Sequence, residues 1–189
     1  MKTRLFSLAL ILVAAPALAE DFSAQVTATV EKELRAWGDD PALIDAVQSA
    51  NAERGMLPQE EIDALDQTWR AEIDNAEQPM VDAILALPVS LWLRDKVDSS
   101  RGRFSEIFVT DHQGLNVAQA RPTSDFWQGD EAKFQETYLV GADAVHVSAV
   151  EFDESSQTYQ VQASFTVTDP ETGAPIGAMT VGLNAEMIE

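Results

Sequence analysis

From Thr158 to Thr168 the side chains alternate strictly. Tyr159, Val161, Ala163, Phe165 and Val167 fall on one side, and Gln160, Gln162, Ser164 and Thr166 on the other. Successive side chains of a strand point to opposite faces, so an eleven-residue alternation of this kind is a β-strand with one apolar face against a core. The turn signals around it, Asp153–Gln157 before and Asp169-Pro170-Glu171-Thr172-Gly173 after, predict antiparallel neighbours.

The rest of the second half has the same rhythm. Phe104–Thr110 reads as a strand, Asp111-His112-Gln113-Gly114 as a tight turn and Leu115–Ala120 as the returning strand. A polar segment, Arg121–Asp130, and a short helix over Glu131–Tyr138 follow. Ala144–Phe152 reads as a third strand, and Ile176–Asn184 closes the sheet after the alternating one. The expected sheet has five antiparallel strands with one helical crossover.

The first half is rich in Ala, Leu, Glu and Asp and reads as helix. Two helices are expected over Ser23–Trp37 and Pro41–Asn51, divided by Gly38-Asp39-Asp40. Ile62, Leu65, Trp69, Ile73, Ala76, Met80, Ile84, Leu87 and Leu91 recur every three or four residues, as on one face of a long helix. Pro79 and Pro88 interrupt that face, so the helix is expected to be kinked or divided. The fold class is therefore α+β, with N-terminal helices, one long and kinked, packed on an antiparallel sheet.

The N-terminus has the build of a secretory signal: Lys2 and Arg4, an apolar run from Leu5 to Ala15, and the small-x-small end Ala17-Leu18-Ala19. The run is short for a bilayer span, which needs about 20 apolar residues, although retention as an uncleaved anchor is the alternative. Expected boundaries are a signal peptide over 1–19, N-terminal helices over 20–57 and a sensor-like domain over 58–189 that forms one globular unit with those helices. The expected compartment is the periplasm, with no membrane span left after cleavage.

Loss of Lys2 and Arg4 would take the formal charge from −20 to −22. Nucleic acid and anionic lipid both require basic surface, and neither is an expected partner. The acidity is open to two explanations, a solvated surface or an attraction for cations. With no cysteine, disulfides, thiol catalysis and thiolate metal sites are excluded.

Several stretches resemble the extracytoplasmic Cache sensor domains, also called PDC domains and PAS-like. Ile107-Phe108-Val109-Thr110-Asp111-His112-Gln113-Gly114-Leu115 is similar to their strand–turn–strand. Asp153-Glu154-Ser155 with the alternating strand is similar to their fourth strand. Gly173-x-Pro175-Ile176-Gly177-Ala178-Met179-Thr180-Val181-Gly182 is similar to the last hairpin and strand. The resemblance runs from about Ile62 to Glu189 and implies a single Cache fold that binds a small polar ligand. Such domains usually sit between two membrane helices. With no second span in view, the bound state is expected to pass to a membrane sensor or receptor protein, the alternative being a soluble binding protein.

By position, the resemblance makes Asp125, Phe126, Trp127 and Asp130 the cap of a ligand pocket, with His146 and Ser148 as candidates for its floor. Aromatic rings among carboxylates suit a ligand cap, because rings give apolar walls and charges fix orientation. The same rings are equally able to seal the sheet, with Asp125 as a helix cap. Amino-acid-binding members place an arginine just before the aromatic pair, where this chain has Ser124 and Asp125. Arg121, at the strand end, is the candidate substitute for that ligand contact, and a bidentate grip depends on its placement. That departure turns the expected ligand toward an amine or polyamine, paired by Asp125 and Asp130 and covered by Trp127.

No metal and no cofactor is expected. His112 and His146 are the only histidines, too few for zinc without sulfur ligands. Asp169–Gly173 lacks the spaced acids of a calcium loop. There is no G-x-S-x-G, P-loop, H-E-x-x-H or dinucleotide fingerprint, so catalysis is not expected. The alternatives to a ligand-binding domain are an interaction module that uses its acidic face or long helix without a ligand, and an extracytoplasmic enzyme.

Overall fold

A computed structural model describes residues 15–73, 75–153 and 158–188. Most of the signal segment (1–14) and most of the turn expected at Asp153–Gln157 lie outside the described residues.

Helix α1, Ala15–Thr29, runs on through a π-helical stretch, Val30–Leu34, into α2, Arg35–Gly38. Val26, Val30 and Leu34 are fully buried, so four-residue steps keep one face on the core. In α3, Pro41–Arg54, the Asp40 carboxylate accepts from the amide of Ala42 at 2.9 Å and Pro41 opens the first turn.

The long helical face is divided into three: α4, Gln59–Ile73; α5, Pro79–Leu85; and α6, Pro88–Ser99. Each proline opens a new helix rather than bending an old one. At the first break Glu72 Oε2 accepts from the amides of Met80 (2.7 Å) and Val81 (3.1 Å) and so caps α5. At the second break the helical phase changes. Leu87 and Leu91 become exposed, while Val89, Leu93 and Val97 turn inward.

The strands are β1, Phe104–Thr110; β2, Asn116–Gln119; β3, Val145–Val147; β4, Glu151–Asp153; β5, Thr158–Thr168; and β6, Pro175–Asn184. The short helix α7, Ala132–Gln135, lies between β2 and β3. All pairings are antiparallel, in the order β2-β1-β6-β5-β3, with β4 also on β5.

Two expectations change in detail. The third strand is two short ones, making six strands among the described residues rather than five, because Ser148–Val150 breaks it. Val147 pairs with Ala163 and Glu151 with Gln160, so one extra residue bulges out on this side. There the Ser148 hydroxyl accepts from the amide of Gln162 at 2.9 Å in place of a main-chain carbonyl. The helix expected over 131–138 has one α-helical turn, followed by hydrogen-bonded turns to Gly141.

The main core lies between the helices and one face of the sheet. Val161, Ala163, Phe165 and Val167 of β5 and Met179, Val181 and Leu183 of β6 meet Val26, Leu34, Val47 and Leu93 there. A satellite core of Ile62, Trp69, Val81, Leu115 and Phe126 holds α4 and α5 to the segment after β2.

Candidate functional site

The polar face of the sheet is not left to solvent. Ser164, Thr166 and Thr180 are buried, as are Asn116 and Gln119 of β2. The chain from Arg121 to Ala144 folds back over them, with Phe134 and Thr137 buried beneath it. A covered polar face must satisfy its own hydrogen bonds. Ser164 and Thr180 share one at 3.0 Å, Thr166 donates to the carbonyl of Gly141 at 2.7 Å, and Gln162 Nε2 donates to Glu106 Oε1 at 2.7 Å.

Toward the β3–β4 edge the cover is incomplete, and a cavity of about 300 Å³ remains. Its floor is Gln160 and Gln162 of β5. Glu131 and Lys133 form one wall, and His146, Ser148 and Glu151 the other. His146 Nδ1 meets Glu136 Oε2 at 2.7 Å, which fixes the ring against α7. The Lys133 ammonium lies 2.9 Å from Glu131 Oε2 and 3.2 Å from Gln128 Oε1. It also stands 5.4 Å above the centre of the Phe108 ring. Carboxylates, one ammonium, two amides and a hydroxyl therefore surround a space large enough for a small polar molecule. Next to it, Tyr138 stacks on Phe134 with ring centres 5.0 Å apart. Burial, with a smaller effect from the Asp111 charge, raises the Tyr138 pKa.

The residues singled out in the sequence do not come together at one site. His146 and Ser148 line the cavity together. Phe126 and Trp127 pack instead into the satellite core. Phe126 is 2% exposed and stacks on Trp69 at 5.4 Å between ring centres. The Trp127 indole donates to the carbonyl of Gln113 at 2.8 Å. Both of their amides donate to Asp66 Oδ1, at 2.8 and 3.1 Å, which ties the loop to α4. Asp125 receives Arg70 at 3.2 Å and Gln128 Nε2 at 2.6 Å. The hydrogen bond to Asp66, aided by the charges of Asp66 and Asp125, raises the Arg70 pKa. Asp130 is exposed.

Arg121 lies apart, 3.1 Å from Asp98, and lines another cavity of about 640 Å³ with Asp98, Arg101, Ser105, Asn184 and Met187. That larger hollow is a notch between exposed side chains: those of Arg121 and Asp98 are 58% and 56% exposed, and Met187 is 42% exposed. The smaller one is floored by the sheet and holds the denser set of polar groups.

Gln160, Gln162, Glu106, Phe108, Gln128 and Lys133 were not singled out in the sequence. The even positions of the β5 alternation carried the signal for the two floor amides.

No family model matches the chain, and no curated protein matches it. Among solved structures it is similar to the sensor domain of the histidine kinase DctB of V. cholerae, at 15% identity and a TM-score of 0.48. That match covers 91% of this chain and 55% of the other. It is also similar to the ligand-binding domain of the Campylobacter jejuni chemoreceptor Tlp3, solved with L-norvaline, at 13% identity and a TM-score of 0.42. There 95% of this chain and 65% of the other are covered. The protein thus spans little more than half of the DctB domain and about two thirds of the Tlp3 domain.

Proposed function

We propose that this protein is an exported, Cache-type binding domain that takes a small polar molecule beneath α7 and presents the bound state to a membrane partner. One observation carries the proposal: most of the sheet's polar face is covered by the chain after β2, yet a cavity of about 300 Å³ stays open over Gln160 and Gln162. Polar residues collected around a concave site give a ligand its orientation, whereas a purely structural layer would close over them. Periplasmic export rests on the signal-like N-terminus, and the role is binding rather than catalysis.

The test is a thermal-shift screen of residues 20–189 against amino acids, organic acids, amines, purines and divalent ions, with Gln162→Ala alongside. A ligand that binds only the folded state raises the melting temperature with concentration. The expected result is one chemical class that does so in the wild type and much less in Gln162→Ala. A flat response across the panel at millimolar concentrations would remove the binding role.

A further inference from the structure

The Lys133 ammonium occupies a site with the three contacts a bound primary amine would require. A carboxylate accepts from it (Glu131 Oε2, 2.9 Å), an amide oxygen accepts from it (Gln128 Oε1, 3.2 Å), and an aromatic face lies beneath it (Phe108, 5.4 Å). Gln128 is 1% exposed, and its orientation is fixed. Its Nε2 donates to Asp125 Oδ1 at 2.6 Å and to the Asp125 carbonyl at 3.1 Å, which leaves Oε1 to face the ammonium. The Lys133 side chain is only 15% exposed, so this cation is held inside the wall of the cavity rather than in solvent.

We propose, on the basis that this cavity is the ligand site, that Glu131, Gln128 and Phe108 form a primary-ammonium subsite whose resident occupant is Lys133. A cationic ligand reaches the subsite only by displacing that side chain. Vacating it leaves the carboxylates of Glu131 and Glu151 on the cavity wall without the lysine charge, and so strengthens the pull on an incoming ammonium. Lys133 thus acts as a tethered competitor that sets a threshold for amines.

The test compares wild type and Lys133→Ala by thermal shift and calorimetry with n-butylammonium chloride, using n-butanol and sodium chloride as controls. The expected result is saturable n-butylammonium binding by Lys133→Ala at concentrations at least about tenfold below any wild-type response. n-Butanol should give no such effect, and the gain should disappear when Glu131→Gln is added. Should Lys133→Ala fail to fold, Lys133→Met keeps the aliphatic stem and is tested in the same way with methylammonium. A folded variant that responds to the amine no more than to the alcohol or salt overturns the subsite. If the wild type nevertheless binds a panel compound, the ligand-binding role survives that failure. If the variant gains amine binding while the wild type binds nothing, the subsite stands and the cavity's ligand role falls.

Discussion

Gln162 Nε2 donates to Glu106 Oε1 at 2.7 Å across the strand that separates them. Both residues pair with Gly182, Glu106 from β1 and Gln162 from β5. The bridge depends on the absence of a side chain there, since a Cβ on Gly182 would lie 2.4 Å from Ser105 Oγ and 2.8 Å from Glu106 Cγ. Gly182→Ala is therefore expected to push Glu106 aside, release Gln162 and cost about 1–3 kcal/mol, as overpacking does. Urea unfolding measures the stability loss. A ligand found by the screen should also bind Gly182→Ala more weakly, because Gln162 forms part of the cavity floor.

Arg54 and Asp111 join the end of α3 to the β1–β2 turn. Arg54 Nη1 lies 2.7 Å from Asp111 Oδ2, and Asp111 is fully buried. The other carboxylate oxygen accepts from the amides of Gln113 and Leu115 at 2.8 and 3.0 Å. Arg54 also donates to the carbonyl of Asn116 at 2.9 Å and stands 5.3 Å over Phe126. Arg54→Ala would leave a buried carboxylate without its counter-charge, and is expected to destabilise by about 3–5 kcal/mol. Asp111→Asn removes the charge but can keep part of the hydrogen bonding, so a smaller loss is expected. Denaturant midpoints of the two variants check the order, and equal losses would argue against charge as the cause.

Much of the fold was legible because its signals are local. Pro79 and Pro88 divide the helices, Gly114 at φ +85° completes the first hairpin, and the β5 alternation spans the eleven residues of the strand. What stayed hidden depends on long-range packing. The sequence gives Gln160, Gln162, Ser164 and Thr166 as a polar face, but not that the chain 20 to 40 residues earlier covers it. The strand break at Ser148 arises from a side-chain bond to β5 that no pattern within 144–152 signals. Phe126 and Trp127 suited either a ligand cap or a core seal. The partners that give them a packing role, Trp69, Asp66 and Gln113, come from distant elements. Lys133 carried no signal, since a lysine after Glu131 reads as ordinary helix surface.

Arg101 follows the end of α6 with φ +58°, in the left-handed region that a non-glycine residue enters at a cost. Gly102 follows at φ +88°. Arg101→Gly is expected to stabilise the protein by about 0.5–1 kcal/mol by removing the Cβ strain, less the entropy that glycine adds to the unfolded chain. Arg101→Ala keeps the Cβ and should give no such gain. Paired thermal and urea unfolding of the two variants separates backbone strain from loss of the arginine charge.

Asp169 begins the β5–β6 turn, where its Oδ1 accepts from the amides of Glu171 (2.7 Å) and Thr172 (3.0 Å). Those backbone bonds, Thr172 first, lower its pKa below the ordinary 3.8. A lowered carboxylate pKa favours the folded state while the group is ionised, so its contribution is present above the ordinary value. It is lost as the pH falls through the lower folded-state pKa. Asp169→Ala should thus unfold at lower urea than wild type at neutral pH, and the gap should narrow only below about pH 3.8. Because the side chain is exposed, the effect should be small and confined to this acid window. A gap that stays constant from neutral pH down through that window would show that the turn is held by something other than the ionised carboxylate.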